Sequence, residues 1–214
     1  VPLKVPANAE IVIEGWISTD PSTFRPEGPY AEFTGYYALE TTPKHVAEIS
    51  CITHRNDPIF RGTMEGAVPG SLGENPVMSS IMRSAIAWNA LESAGVPGVT
   101  DVFGQPIQAG VNIVVQLHQT YRGQAKQAAA AIWGSNASHL RYKHIWVVDQ
   151  DIDIHDYAAV DWAFAYRVNA AENDIVFFPD SWGSLLDPST RLKDRDPMLY
   201  GTGKWCRVLI DATV

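Results

Sequence analysis

Val111-Asn112-Ile113-Val114-Val115-Gln116-Leu117 is a nearly continuous apolar run rich in β-branched residues. The alanine-rich stretch Gly123 to Trp133 follows, and then His144-Ile145-Trp146-Val147-Val148-Asp149. A short run apolar on both faces predicts a strand covered on both sides, as in a parallel or mixed sheet with helices packed on it. Tyr157 to Val168 reads as a second helix and Asp174 to Phe177 as a third strand. Strand, helix, strand, helix, strand in that order implies an α/β sheet of βαβαβ type. The closing segment, Asp187 to Val214, is turn-rich and ends in a short strand at Arg207 to Asp211, expected to be a terminal arm lying on a neighbour.

Working back from this unit, Val77, Met78, Ile81, Met82, Ala85, Trp88 and Leu91 recur at helical spacing, with Asn75 as N-cap, Pro76 at the first helical position and an end at Gly95. A Met and Trp stripe of this kind packs a core more often than it binds a ligand. Gly66 to Gly73 reads as a linker. Ahead of it, Ala9 to Ile17, Val46 to Thr53 and Ile59 to Met64 read as strands, which as a set suggest part of a β-barrel completed from elsewhere. The expected organisation is therefore α+β/α/β: residues 1–70 as the C-terminal part of a split β-barrel, and residues 71–214 as an α/β oligomerisation domain with the terminal arm. Val1 in place of an initiator Met is expected of a chain entered partway.

The 214 residues are 46% hydrophobic with a formal charge of −8. Such a chain can bury a core, and it lacks the Lys and Arg clusters that a phosphate backbone needs, so no nucleic-acid partner is expected. No apolar run approaches the ~20 residues of a membrane span. Cys51 and Cys206 stand far apart without metal spacing and read as reduced, buried thiols of a cytoplasmic protein. Asp149, Asp151 and Asp153 resemble the start of a calcium loop, but Ile154 and Val160 occupy the places that require Gly and Glu, so capping and solvation are expected of them. Gly201-Thr202-Gly203-Lys204 lacks phosphate-loop spacing. The six histidines show no metal pairing, no nucleophile elbow accompanies Ser, His and Asp, and no metal is assigned.

One stretch carries chemistry: Glu27-Gly28-Pro29-Tyr30-Ala31-Glu32-Phe33, with Gly35, Tyr36 and Tyr37 following. Gly and Pro bend the backbone, which allows both acids to face one pocket. A carboxyl desolvated by the adjacent aromatics would have a raised pKa and hold a proton near neutrality. Acids beside Gly-Pro are also common in plain surface turns. Arg122 and Lys126, where a strand passes into a helix, are candidates to hold a phosphate. Arg55 and Arg61 are candidates to reach the acid loop or an anionic substrate.

The run EGPYAEFTGYY, together with AEIVIEG (Ala9 to Gly15), ITHRNDPIF (Ile52 to Phe60), VVDQDIDIHD (Val147 to Asp156), WAFAYRV (Trp162 to Val168), SLLDPS (Ser184 to Ser189) and IDAT (Ile210 to Thr213), resembles the UbiD family of prenylated-FMN-dependent decarboxylases. The similarity covers the whole chain but only about the C-terminal half of the family's usual length. It implies a reversible, non-oxidative carboxy-lyase acting on an aromatic or α,β-unsaturated carboxylic acid. In this carry-over Glu32 donates the proton to carbon and Glu27 belongs to a Glu-Arg-Glu network. The network arginine and the ligands of a divalent metal (Mn or Mg), with potassium as an additional candidate ion, are expected outside this chain. Phe33 and Phe178 are the implied substrate-pocket residues. The implied partners are an N-terminal UbiD region or subunit and further copies of the chain, as dimer or hexamer. Tyr30 and Ala31 depart from the Phe and Gly of some members. The competing expectation is a non-catalytic oligomerisation or binding module of the same fold.

Overall fold

β-Branched residues draw the N-terminal segments into extended ribbons, because their side chains pack well on a pleated surface. The computed structural model describes residues 2–37, 40–68, 70–138, 141–195 and 203–214. Its first compact unit comprises Val1–Tyr30 and Leu39–Thr63. Here lie β1 (Ile11–Ile17), β2 (Arg25–Glu27), β3 (Thr42–Lys44) and β4 (Ala47–His54). β1 and β4 pair antiparallel from Ile11 opposite His54 to Ile17 opposite Ala47, with a register shift after Glu14. Gly15 sits at that shift because a Cβ there would stand 2.2 Å from the Glu48 carbonyl oxygen. β2 and β3 pair antiparallel, with Glu27 opposite Thr42.

This unit differs from expectation in two places. Ile59 to Met64 forms no strand; Phe60 is 84% exposed, and the segment follows Pro58 without a ladder partner. Cys51 is exposed on β4 rather than buried, and Cys206 in the second unit is exposed as well; both are free thiols. Ile13, Ile17, Ile49 and Ile52 also face solvent on the β1–β4 ribbon, which by itself has no second layer to cover them.

The second compact unit comprises Ala31–Ala38 and Met64–Val214. The expected Gly-Pro linker instead forms a small hairpin of β5 (Ala67–Val68) and β6 (Ser71–Leu72). Helix α1 (Glu74–Ser93) follows, with Gly73 as its cap. Asn75 therefore lies inside the first turn, and its amide donates to the Glu65 carboxylate instead of capping. The remaining elements are β7 (Val99–Phe103), β8 (Asn112–Leu117), α2 (Gln124–Gly134), β9 (His144–Asp149), α3 (Tyr157–Arg167), β10 (Ile175–Trp182) and β11 (Lys204–Ala212). Asp156 caps α3 by accepting from the Ala158 N–H at 2.9 Å.

The five strands form one sheet in the order β10-β11-β9-β8-β7. β8, β9 and β11 run parallel, while β7 and β10 are antiparallel at the two edges. The α/β reading of this part holds, but the third parallel strand is β11 and not the strand near residue 175. The segment expected as an arm is therefore an interior strand: Leu209 is fully buried, whereas Phe177 and Phe178 on β10 face solvent. Helices α1 and α2 cover one face, where Leu91, Ala125, Ala128, Ala129 and Ile132 meet Ile113, Val115, Ile145, Val147 and Leu209. The alanines let α2 approach the sheet closely. Val160 and Ala163 of α3 cover the other face, against Val114, Val148 and Ala212.

Ile113 stands at the centre of this sheet with no solvent exposure. Ile113→Ala is expected to cost about 2–5 kcal/mol, because the cavity it leaves cannot fully collapse. Urea unfolding monitored by circular dichroism measures this.

Candidate active site

The turn from Ala31 to Tyr37 is closed by its own backbone: the Glu32 N–H donates to the Tyr36 carbonyl (3.0 Å) and the Gly35 N–H to the Glu32 carbonyl (2.8 Å). Glu32 is half-buried there and lines a cavity of about 700 Å³ with Met64, Glu65, Val68, Leu72 and Met78. Burial in this apolar lining, and then the like charge of Glu65, raise the Glu32 pKa. The aromatics expected to desolvate it do less, since Tyr30, Tyr36 and Tyr37 are all exposed. Glu65 differs from Glu32 in being held by the Asn75 amide. Burial thus raises the proton affinity of Glu32, while its neighbour accepts an amide hydrogen bond, an asymmetry between two like groups in one cavity.

A cation completes this group. Burial, and then the charge of Arg83, push the Arg141 pKa down to about 10, while Glu65 opposes that shift. The Arg141 guanidinium lies 4.7 Å from the centroid of the Phe33 ring, a cation–π contact that fixes Phe33 beside Glu32. Phe33 lines a second cavity, of about 250 Å³, with Gln108, Asn112, Lys143, His144 and Trp205. In that cavity Lys143 Nζ bonds the Asp187 carboxylate (2.9 Å) and the Ser189 hydroxyl (2.7 Å). His144 Nδ1 meets Asn112 Oδ1 at 2.6 Å, and burial lowers the His144 pKa, keeping the ring neutral.

The other expected residues lie elsewhere. Glu27 is exposed at the end of β2 in the first compact unit, whereas Glu32 belongs to the second. The Gly28 that follows Glu27 has φ +94° and its carbonyl accepts from the Thr41 hydroxyl at 3.0 Å. Arg122 and Lys126 are exposed at the start of α2 and line none of these cavities. Phe178 lines a third cavity, with Trp133 and Arg207. Arg55 pairs with Glu10 at 2.8 Å. Within the Asp149 to Asp153 run, Arg167 is bonded to Asp151 and lies 3.8 Å from Asp149, while Asp153 accepts from the His155 N–H at 2.9 Å. Among the described residues no group of three or more His, Cys, Asp or Glu is placed to hold a metal, and no helix is long and apolar enough to cross a membrane. Glu65, Arg141, Lys143 and Asp187 were not singled out by the sequence. The signal available was charge within or next to apolar runs, as in Lys143 immediately before β9.

Comparison with known proteins decides the family. Residues 1–68 match the 3-octaprenyl-4-hydroxybenzoate carboxy-lyase Rift-related domain, and residues 76–212 match the C-terminal domain of the same carboxy-lyases. The chain belongs to the UbiD family. An uncharacterized protein of Archaeoglobus fulgidus is 35% identical over 222 residues, a match that takes in 100% of this chain and 40% of the relative. One from Synechocystis sp. is 32% identical over 190 residues, covering 87% and 36%. Among solved structures, the UbiD-class enzyme HmfF from Pelotomaculum thermopropionicum in complex with FMN superposes with TM-score 0.74 at 33% identity, over 98% of this chain and 42% of that one. Closed vanillic acid decarboxylase from Sedimentibacter hydroxybenzoicus gives 0.78 at 27% identity, over 98% and 40%. Apo 3,4-dihydroxybenzoic acid decarboxylase (AroY) from Klebsiella pneumoniae gives 0.69 at 26%, over 96% and 42%. This UbiD chain thus spans less than half the length of these relatives.

The Lys143–Asp187 pair offers a direct test. Burial raises the Asp187 pKa, but the bonds from Lys143 and Ser189 outweigh it and leave the carboxyl below its usual value. A depressed folded pKa contributes stability above the unfolded value of about 3.9, lost as pH falls through the folded value. Lys143→Met, which leaves a buried carboxylate unpaired, is therefore expected to cost about 3 kcal/mol at neutral pH. The gap from wild type should shrink in acid, as followed by urea unfolding between pH 7 and pH 3.

Proposed function

We propose that this chain is the part of a UbiD-type non-oxidative decarboxylase that delivers the proton to carbon. The observation carrying the reading is Glu32: a half-buried carboxyl with a raised pKa, on the loop by which the chain resembles the family, opening into a cavity large enough for a ring-sized reactant. The proposed substrate is an aromatic or α,β-unsaturated carboxylic acid, in keeping with the acid decarboxylases among the structural neighbours.

Whether these residues suit a flavin can be tested on the cavity lining. Val68, Leu72, Val77 and Met78 give a flat ring an apolar wall, and Glu32 and Glu65 stand at its rim. No Lys or Arg lines that cavity, and Arg122, just ahead of α2, and Lys126, in its first turn, are exposed, so the lining fits the ring end and not the phosphate end. The proposed phosphate, Mn or Mg, and potassium ligands, and the network arginine that pairs with Glu27, then belong to an N-terminal UbiD region acting with this chain. The exposed isoleucines of the β1–β4 ribbon support such a partner. When bound, prenylated FMN supplies the electron sink for carbon–carbon bond cleavage.

What the protein itself does follows from acid–base chemistry. Loss of CO2 leaves an electron pair on the substrate carbon. Glu32, whose pKa burial and then Glu65 raise, gives its proton to that carbon and becomes a carboxylate. In carboxylation the same carboxylate removes the proton, which makes the reaction reversible. Arg141, stacked on Phe33, keeps the aromatic side chain that follows Glu32 in place.

Glu32→Gln retains the shape and removes the transferable proton. With the N-terminal region and prenylated FMN present, it is expected to reduce CO2 release by about 10²-fold or more; undiminished release would overturn the assignment. A raised pKa means that Glu32 loses its proton, and the rate falls, as pH rises through that value. Glu65→Gln removes the like charge and is expected to move this alkaline limb to lower pH, measured as kcat against pH.

A further inference from the structure

The start of helix α1 grips the segment that carries Glu65 at three successive residues. Gly73 comes so close that a Cβ on it would stand 2.8 Å from the Met64 carbonyl oxygen and 2.9 Å from that of Gly66. Its N–H donates to the same Gly66 carbonyl at 3.3 Å. The Glu74 carboxylate accepts from the Met64 N–H at 3.1 Å, and bonds from its own N–H and from Met64 hold that carboxyl below its usual range. Asn75 then donates its side-chain amide to the Glu65 carboxylate at 2.5 Å. Residues 64 and 66 are thus fixed through their backbone, and residue 65 between them through its side chain.

Asn75 is itself oriented. Ser79, one turn further along α1, donates its hydroxyl to Asn75 Oδ1 at 3.2 Å, which leaves the NH2 end of the amide to face Glu65. The helix is in turn anchored in the core, where Ala87 and Leu91 are fully buried, so the place of the Glu65 side chain is tied to the sheet. Glu65 lines the same cavity as Glu32 and Glu74, and its charge adds to burial in raising the Glu32 pKa. The cation beside this loop is Arg141, over the Phe33 ring. A like charge acts strongly only where it is held close and partly out of water: at a given distance the interaction is about four times larger near a protein surface than in bulk solvent. A glutamate side chain left free would turn into water and lose most of that effect.

We propose that Asn75 is a positioning residue whose amide holds the Glu65 carboxylate beside Glu32, and so fixes the charge that faces the proton donor. The proposal rests on the reading of Glu32 as that donor, but its test needs neither cofactor nor substrate. The Glu32 carboxyl of the intact chain is titrated by carbon-13 NMR with labelled glutamate. Asn75→Ala should lower the Glu32 midpoint by about 0.5 pH unit, a roughly threefold fall in proton affinity, because the freed Glu65 turns into solvent. Alanine is the best helix former, so this variant should keep its melting temperature. Asn75→Gln, which retains the amide, should recover part of the shift, and Ser79→Ala, which lets the amide turn, should show part of it. In a Glu65→Gln background, Asn75→Ala should leave the midpoint within about 0.1 pH unit of its parent, since the residue acts only through Glu65. An unchanged midpoint in Asn75→Ala, or equal shifts with and without Glu65, would overturn the proposal. Undiminished CO2 release in Glu32→Gln would end the decarboxylase reading and leave this titration standing, whereas a failed titration would leave that reading untouched.

Discussion

Ile113, Ile145 and Leu209 are paired across three adjacent parallel strands, and none of the three is accessible to solvent. Burying this row beneath α1 and α2 removes a large apolar area from water, and the rest of the second unit is constrained by it. Side chains alternate along a strand, so once Leu209 faces inward, Arg207 and Trp205 must face inward too. Burial of the arginine is thus a consequence of register. The same logic sends Cys206 outward, to the accessible side of β11. Shifting β11 by one residue would expose the leucine and bury the thiol, so the hydrophobic row holds the charged residue in place.

The acid loop works under a different constraint, that of like charges in a partly apolar cavity. Glu32 and Glu65 are chemically alike, yet an amide partner is given to one and burial dominates for the other. Arg141, itself desolvated and within the field of Arg83, adds positive charge beside this loop. The environment, not the residue type, then sets the proton affinity of Glu32. An apolar wall beside an asymmetric carboxyl pair is what proton delivery to a carbon atom needs.

Much of this was legible in the sequence. The β-branched run at Val111 to Leu117 and the alanines of Gly123 to Trp133 announce their structures locally, since strand and helix preferences act over a few residues. Strand order does not: that β11 inserts between β9 and β10 depends on contacts with residues some sixty positions away, such as Val208 opposite His144. Isoleucine 59 and Phe60 carried a strand-like pattern with no partner to pair with. In the site, Glu32 could be found from its loop and from family resemblance. Glu65 stands just ahead of the Gly- and Pro-rich stretch that folds into a hairpin and carries no local signal, and Arg207 was unreadable because a charged residue in a short apolar strand is by default assumed to face water. Family membership now rests on both matched domains, while the role of Glu27 rests on resemblance and that of Arg122 and Lys126 on their place where a strand passes into a helix.

The register shift in β10 bears on how the sheet meets the outside world. Between Phe178 and Ser181 the ladder to β11 is interrupted by Pro179, which has no N–H, and by Asp180, which adopts a left-handed backbone with φ +54°. β10 is also the outermost strand on that side. Its free rim therefore offers an incoming peptide a missing donor, a twist and a negative charge in succession, a combination that discourages end-on fibril growth through this sheet.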